Sequence, residues 1–184
     1  MVTKLDIGEN VIMKEFLKID DKTAGKRETA IDLSKFPWPF EKDTFEEIRA
    51  ENVLEKVDDL EAVMNEVFRI CKNGAKIYII VPYFNSSSNC SPTSHHNFGF
   101  STFYYFVRGQ NPSYPGPYFK MINIKSIPSR WFKWIPNFSV RWLIRHRNPF
   151  MKFRDILSLF IGEINQYLYV ELQVEDKNTG GQNE

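Results

Sequence analysis

Acidic residues recur at the ends of the predicted β-strands in the first third of the chain. Asp20 and Asp21 close the second predicted strand, Asp32 lies in the third, and Glu51 follows the fourth. In open α/β sheets, ligands bind beyond the carboxyl ends of the strands, and a carboxylate can accept hydrogen bonds from both hydroxyls of a ribose. Each acid alone is more typical of a helix cap or a solvated loop. The ordered set predicts a site for a ribose-bearing ligand.

The stretch LDIGEN, at residues 5–10, begins as a nucleotide-binding turn does, with an apolar strand, the acid Asp6 and then Gly8. Such turns place further glycines after the first, so that the backbone can approach the ligand closely. Here Asn10 stands at the second glycine position, and Glu9 precedes it. Asparagine tolerates left-handed backbone geometry, so we expect the turn itself to persist.

Two adjacent histidines, His95 and His96, lie close to a serine-rich stretch and are the candidate catalytic bases. Histidine titrates near neutral pH, so either one could take a proton from a reacting group. The alternative is an ordinary polar loop. Cys71 and Cys90 have neither the spacing of a metal site nor that of a disulfide framework. We therefore predict no metal site and a reducing, cytoplasmic location.

The elements that must position these residues alternate between strands and a helix. Apolar residues recur at three- and four-residue steps in VDDLEAVMNEVFRICKNG, which predicts an amphipathic helix that Gly74 ends in a left-handed conformation. A nearly continuous apolar run, AKIYIIVPYF, predicts a central strand, and two late strands are predicted in YFKMINIKS and NQYLYVELQVED. We predict an α/β domain over residues 1–176, with a mainly parallel sheet, an antiparallel final strand and helices on both faces, followed by a disordered tail at 177–184.

The formal net charge of +1 conceals an uneven distribution, because residues 67–154 contain 13 Lys and Arg and no Asp or Glu. The segment at about 126–162 interleaves basic and aromatic residues. One interpretation is a surface for an anionic partner, either nucleic acid or a membrane surface. The other is a lid over the sheet whose aromatic side chains fill the core. The basic residues that would contact the anionic partner are Arg130, Lys133, Arg141, Arg145 and Arg147.

The chain contains no apolar run of the roughly 20 residues that a membrane-spanning helix needs. Its first ten residues contain no apolar run of signal-peptide length. We therefore predict no transmembrane span. The predicted location is the cytoplasm, with peripheral contact to a membrane as the alternative that the basic segment leaves open.

Four stretches together resemble a known family. They are KLDIGEN, FLKIDD, the long run from AIDLSKFPWPFEKDTFEEIRAENVLEKV to RICKNGAKIYIIVPYF, and SPTSHHNFGFSTFYYF. They are similar to class I S-adenosylmethionine-dependent methyltransferases, and most closely to the small prokaryotic methyltransferase-like proteins. The resemblance covers about residues 4–106 and returns in INQYLYVELQV, which resembles the family's final strand.

The resemblance implies a Rossmann-like fold, S-adenosylmethionine as cofactor, and roles for individual residues. Asp6, Gly8 and Asn10 match the loop beside the methionine half of the cofactor, and Asp20 matches the acid that binds its ribose. Asp32 and Leu33 match the pair beside the adenine, and Glu51 and Asn52 match positions that border cofactor and substrate. His95 or His96 falls where the family has a histidine on the substrate side.

The function that these matches imply is methyl transfer from S-adenosylmethionine to an acceptor that the basic second half suggests is anionic or phosphate-bearing. The changed loop residues, Glu9 and Asn10, favour an alternative. In that alternative the chain is a non-catalytic methyltransferase-like protein that binds a ligand, a nucleic acid or a membrane surface through its basic-aromatic segment.

Overall fold

The structure is a computed structural model that describes residues 3–9, 15–21, 25–30, 32–108, 110–111, 113–129, 165–175 and 177. These residues form seven strands, one α-helix and two short 3-10 helices, at Ser87–Asn89 and Phe103–Phe106. The longer elements are β1 (Thr3–Glu9), β2 (Glu15–Asp21), β3 (Gly25–Ala30), β4 (Phe45–Glu51), α1 (Leu60–Ile70), β5 (Cys71–Pro82), β6 (Phe119–Pro128) and β7 (Asn165–Val174).

All seven strands belong to one sheet with the order β3-β2-β1-β4-β5-β7-β6. The first five positions follow the 3-2-1-4-5 order of a doubly wound nucleotide-binding sheet, whose ligands bind where the order reverses, between β1 and β4. β1 pairs with β4 in parallel, and so does β4 with β5. β7 is antiparallel to both β5 and β6. The predicted α/β class and the antiparallel final strand are confirmed.

The expectation of a mainly parallel sheet is corrected by β2, which runs antiparallel to both β1 and β3. The pairing extends from Glu9↔Glu15 to Thr3↔Asp21, so β1 and β2 form a hairpin. A parallel connection needs a crossover of a dozen or more residues, and only residues 10–14 separate the two strands. β3, which is separated from β1 by β2, therefore runs in the same direction as β1. The basic-aromatic segment, from residue 130 onward, lies outside the described part of the chain.

One face of the sheet is apolar and buried. Four apolar residues form a row in register across β1, β4, β5 and β7, and each of them is at most 1% exposed: Leu5, Ile48, Ile77 and Leu172. Helix α1 contributes four buried apolar residues, Val63, Met64, Val67 and Ile70, to the same core. Asp59 caps the helix by accepting a hydrogen bond from Ala62 N–H at 2.9 Å. The 3.6-residue periodicity thus identified the helix and its buried face correctly.

The opposite face of the sheet is polar. Lys4 on β1 forms an ion pair with Glu47 on β4 at 2.7 Å, and Arg49 donates to the same carboxylate at 2.9 Å. Arg49 also lies over the ring of Tyr78 on β5. Side chains alternate between the two faces of a strand, so Gly8 and Glu51 share this polar face with Lys4 and Glu47.

The helix ends earlier than predicted. Cys71 already has extended geometry, with φ −79° and ψ 146°, so α1 ends at Ile70. Gly74 does have left-handed geometry, with φ 75°, but it lies inside β5. The register between β4 and β5 shifts in this region, between Phe45 and Glu47. Gly74 therefore permits an irregularity in a strand instead of ending a helix.

Lys177, which the sequence assigned to the tail, is anchored at the end of α1. Its ammonium group pairs with Asp43, donates to the backbone carbonyls of Arg69 and Cys71, and lies 5.0 Å from the centre of the Phe68 ring. A cation at the carboxyl end of a helix satisfies free carbonyls and interacts favourably with the helix dipole. Lys177 therefore fixes the end of the chain that leaves β7 against α1.

Replacing Lys177 by methionine should lower the free energy of unfolding by about 1 kcal/mol, since the apolar stem is kept while the ion pair and the carbonyl contacts are lost. Chemical denaturation monitored by circular dichroism measures this change. The matched control is Lys120→Met on β6, where the lysine is exposed. Equal stability losses in the two variants would contradict the anchoring role of Lys177.

Candidate functional site

The carboxyl ends of β1 and β4 meet at one edge of the sheet. Gly8 on β1 is in register with Glu51 on β4, and Glu51 is in register with Ile80 on β5. At the same level Gly8 faces Phe16, and Phe16 faces Ala30 at the end of β3. Asp32 therefore follows β3 at this same edge. The structure brings together three predicted positions, Gly8, Asp32 and Glu51, with Asn52 directly after them.

Asp20 lies at the other edge, which corrects the prediction that it joins this site. It is in register with Lys4 on β1 and Lys26 on β3. Four residues of β2 separate it from the level of Phe16 and Gly8, which corresponds to about 13 Å along the strand. The reason is the antiparallel direction of β2, because its carboxyl end points away from the carboxyl ends of β1 and β4.

The glycine turn predicted at residues 5–10 is also altered. Gly8 is part of the β1 ladder and is paired on both sides, to Phe16 and to Glu51. It therefore lies in the strand and not in a turn after it. Asp6, two residues earlier, is exposed on the polar face in register with Arg49. Asn10 lies outside the described residues, so its predicted role stays a prediction.

Asp32 and Leu33 differ in what they offer a ligand. Asp32 is exposed, and its carboxylate accepts hydrogen bonds from the Ser34 hydroxyl at 2.5 Å and the Ser34 N–H at 3.1 Å and pairs with Lys35 at 3.0 Å. Leu33 is only 2% exposed and belongs to the hydrophobic core. The Leu33 side chain fills the core, and the predicted position of Leu33 beside an adenine stays a prediction. Asp32 remains exposed at the edge of the sheet where β3 ends.

The hydrogen bond that the Ser34 hydroxyl donates to the carboxylate is the chief cause that lowers the pKa of Asp32 from its ordinary value of 3.8 to about 2. Ser34→Ala should raise the pKa toward its ordinary value. The contribution of Asp32 to folding is present above pH 3.8 and is lost as the pH falls through the folded-state value. A pH titration of the Asp32 carboxyl carbon by NMR measures both values. An unchanged pKa in the Ser34 variant would contradict this assignment.

Asn52 begins the loop that follows β4, and its backbone is in the left-handed region with φ 52°. Its N–H donates to the carbonyl of Ile80 on β5 at 2.9 Å, which holds the loop against the neighbouring strand. Its side-chain oxygen is buried and has no hydrogen-bond partner among the residues that the structure describes. A left-handed residue with an unsatisfied buried oxygen at a strand end is a feature that functional sites commonly show.

The loop after β4 and the segment after β5 are joined at Glu55. The backbone N–H groups of His95 and His96 both donate to the Glu55 carbonyl, at 2.6 and 3.2 Å. Glu55 itself is 3% exposed, so a carboxylate is buried at this junction. Sequence reasoning did not select Glu55. A lone acid between apolar residues in VLEKV was the only available signal, and such an acid is more often exposed.

The two histidines have different environments. His95 Nδ1 lies 2.8 Å from a carboxylate oxygen of Asp58, and both side chains are substantially exposed. His96 is partly buried, and its ring lies 6.3 Å from that of Phe98. The Nε2 atom of His96 is buried without a hydrogen-bond partner in the described ranges. The structure thus separates His95, whose ring contacts Asp58 at the surface, from His96, a partly buried residue whose Nε2 atom has no hydrogen-bond partner among the described residues.

Other predictions concern features outside this edge. Across the described ranges, no three His, Cys, Asp or Glu side chains form a group that could hold a metal ion. No helix in the described part of the chain is long and apolar enough to cross a membrane. The basic residues assigned to an anionic partner, at 130, 133, 141, 145 and 147, lie outside the described residues.

No family model matches the chain, and no curated protein is similar to it in sequence. Solved structures similar to it include the [4+2]-cyclase SpnF, with 11% identity and a TM-score of 0.49 over 80% of this chain and 56% of that one. Another is an S-adenosylmethionine-dependent methyltransferase from Mesorhizobium loti, with 10% identity and a TM-score of 0.47 over 78% and 67%. A third is an S-adenosylmethionine-dependent methyltransferase from Methanosarcina mazei, with 12% identity and a TM-score of 0.43 over 79% and 65%. The chain thus spans little more than half the length of SpnF.

Proposed function

We propose that this chain is an S-adenosylmethionine-dependent methyltransferase whose ligands meet at the edge formed by the carboxyl ends of β1, β4 and β5. The observation that carries the proposal is the pairing of Gly8 with Glu51 at the point where the strand order reverses. That point is where open α/β sheets bind their ligands. The sequence resemblance over residues 4–106 supports the identity of the cofactor.

The residues present at this edge fit such a cofactor in part. S-adenosylmethionine carries a positive sulfonium and an ammonium group, and the edge presents the carboxylates of Asp32 and Glu51. Gly8 has no side chain to keep the ligand from the backbone. The ribose-binding acid expected from the resemblance does not fit, because Asp20 lies at the opposite edge. Asp32 is an exposed carboxylate at the correct edge, and its two oxygens can accept hydrogen bonds.

In this proposal the bound cofactor supplies a methyl group that its sulfonium already activates. The protein therefore has to align the acceptor with that group and to accept a proton where the acceptor carries one. Glu51 and Gly8 bind the cofactor, which is the methyl donor. Asn52 and His96, on the loops that follow β4 and β5, line the acceptor side. His95 is paired with Asp58 at the surface and contributes to the shape of the loop.

The second candidate is a non-catalytic relative that keeps the sheet order and binds another ligand. One observation favours it: the β1–β2 hairpin leaves no room for the crossover helix whose amino end cradles the ligand in doubly wound folds. Binding of a nucleic acid or an anionic membrane through residues 126–162 belongs to this candidate and remains a prediction. Gel shifts with RNA and sedimentation with anionic liposomes at several salt concentrations test it, since electrostatic binding weakens as salt rises.

Calorimetric titration with S-adenosylmethionine and with its demethylated product tests the proposed function. We expect saturable binding of both, about tenfold weaker in Glu51→Ala, which loses a carboxylate on the donor side. Asp20→Ala serves as the matched control and should bind as the unaltered protein does. Absence of binding at millimolar ligand by the folded protein would exclude the enzyme and leave the non-catalytic candidate.

A further inference from the structure

The beginning of β5 is irregular. β5 pairs with β4 at Cys71 and next at Lys76, and its pairing with β7 also begins at Lys76. Residues 72–75 therefore lie outside both registers, and we call them the β5 bulge. A bulge interrupts the ladder that otherwise fixes the backbone of a strand.

Asn73 and Gly74 lie in the middle of the β5 bulge, and both are exposed. They are the one place in the chain where a glycine directly follows an asparagine. Gly74 has a φ of 75°. Apart from its chain neighbours, a Cβ added to Gly74 would contact a single atom of the described residues, Gln173 Nε2, at 3.8 Å. The surroundings of Gly74 therefore leave room for a ring to form there.

Two hydrogen bonds connect the β5 bulge to the end of β7 and to the residues that follow it. The Lys177 N–H donates to Asn73 Oδ1 at 3.3 Å, and Gln173 Nε2 donates to the Gly74 carbonyl at 3.1 Å. A donor on a carbonyl oxygen stabilises the negative charge that develops there when a nucleophile adds to the carbon. The amide carbon of Asn73 is therefore polarised for attack, and the next residue in the chain supplies a backbone nitrogen.

We propose that Asn73 is a modification site, at which the Gly74 backbone nitrogen displaces the side-chain amide and residue 73 becomes aspartate or isoaspartate. The juxtaposition that supports this proposal is an exposed asparagine, a following glycine and an N–H donor on the amide oxygen. A side chain on the following residue would hinder the attack, and glycine has none. Nucleophile and electrophile belong to adjacent residues, so no encounter between molecules is needed. The inference does not rest on the proposed function.

The reaction needs water and no other reactant. The Gly74 nitrogen forms a bond to the side-chain carbonyl carbon of Asn73, which closes a succinimide ring. The bond from that carbon to the amide nitrogen breaks, and ammonia leaves with the proton that the Gly74 N–H has lost. Water then adds to either ring carbonyl: addition at the side-chain carbonyl gives aspartate, and addition at the main-chain carbonyl gives isoaspartate. No atom is oxidised or reduced.

The two products differ in their effect on the β5 bulge. Aspartate keeps the oxygen that accepts the Lys177 N–H. In isoaspartate the main chain runs through the former side chain and is longer by a carbon atom, so the Gly74 carbonyl moves relative to Gln173. Isoaspartate therefore weakens the contact between the bulge and β7. The ligand edge is at the other end of β5, where Ile80 is in register with Glu51.

Mass spectrometry of the full chain, aged in warm and mildly alkaline buffer, tests the proposal. We expect conversion at Asn73 to be at least about tenfold faster than at Asn97, which is exposed but precedes Phe98, because a side chain on the next residue hinders the attacking nitrogen. Asn123, which is in register with Glu171 on β7, is the second internal control. Synthetic peptides distinguish isoaspartate from aspartate by their retention times.

Two variants connect the modification to the stability of the chain. Asn73→Gln should keep its amide and its unfolding temperature through the same incubation, because closing the larger ring is slower. Fresh Asn73→Asp should unfold as the fresh unaltered chain does, since it keeps the acceptor for Lys177. Complete conversion to isoaspartate should lower the unfolding temperature by about 2–4 °C, as expected for the loss of a hydrogen bond.

The proposal is overturned if Asn73 reacts no faster than Asn97 and Asn123. It is also overturned if Asn73 keeps its amide in the folded chain while a synthetic peptide of residues 70–78 loses it, since the fold would then protect the site. Equal unfolding temperatures of the fresh chain and the isoaspartate-containing chain would contradict the weakened contact with β7. None of these outcomes depends on whether S-adenosylmethionine binds.

Discussion

Glu66→Ala is expected to lower the free energy of unfolding by about 3 kcal/mol, because the glutamate joins the loop at residues 32–41 to helix α1. Glu66 is 6% exposed and accepts the N–H of Trp38 at 2.7 Å and two hydrogen bonds from Arg69 at 2.6 and 2.9 Å. Arg69 also donates to the carbonyls of Trp38 and Phe40, at 3.1 and 2.9 Å. Without Glu66, a buried N–H loses its acceptor and a partly buried guanidinium loses its counter-ion. Urea denaturation measures the loss.

The matched control is Glu61→Ala on the same helix, where the carboxylate accepts a single, exposed hydrogen bond from Tyr105 at 3.2 Å. We expect it to cost less than about 1 kcal/mol. Burial raises the pKa of Glu66, but the hydrogen bonds from Arg69 and Trp38 outweigh it and lower the pKa overall. Its contribution is therefore present at neutral pH and lost as the pH falls through that lowered value. Equal losses in the two variants would contradict the role of Glu66.

Gly8→Val is expected to weaken cofactor binding strongly while leaving the fold intact. Gly8 lies inside β1, in register with Glu51 on the polar face, so valine would project beside the carboxylate that holds the donor side. β-branched residues suit strands, and the change in stability should stay within about 1 kcal/mol. We expect the affinity for S-adenosylhomocysteine to fall more than about tenfold, because the new side chain excludes the ligand from the backbone. Calorimetry and thermal unfolding measure the two effects separately.

Thr3→Val provides the control, since it places the same side chain at the opposite end of the same strand, in register with Asp21. We expect it to leave the affinity unchanged. If the Thr3 variant lost binding and the Gly8 variant kept it, the ligand edge would be the one that contains Asp20, and the proposed site would be wrong.

The elements that the sequence predicted correctly are those whose patterns are local. Helix α1 follows from the three- and four-residue spacing of residues such as Val63, Met64 and Val67, all of them buried. β5 was predicted as central from its apolar run, and it lies between β4 and β7. Its two faces differ, since Ile77 and Ile79 are buried while Tyr78 and Ile80 are only partly buried.

The direction of β2 was predicted wrongly because the side-chain pattern of a strand does not depend on its direction. An apolar strand that ends in Asp20 has the same sequence whether it runs parallel or antiparallel to β1. The informative feature was the length of the connection, because residues 10–14 are too few for a parallel crossover. Because β2 is antiparallel, Asp20 lies at the edge opposite to the one predicted.

The candidate site was predictable in part for a similar reason. Gly8, Asp32 and Glu51 follow strands of one direction, so their order along the chain was enough to place them at one edge. The burial of the Leu33 side chain could not be predicted, because an apolar residue beside a site is equally suited to the core and to a ligand contact. The difference between His95 and His96 depends on contacts with Asp58 and Glu55 that no spacing rule predicts.

The location of the ligand is tested most directly by backbone amide NMR of the full chain during titration with S-adenosylhomocysteine. We expect the largest shifts at Gly8, Glu51 and Asn52 and smaller ones at Asp32, while the signals of Asp20 and Gly25 remain unchanged. Shifts centred on Asp20 and Gly25 would place the ligand at the opposite edge of the sheet, and that result would contradict the proposed site.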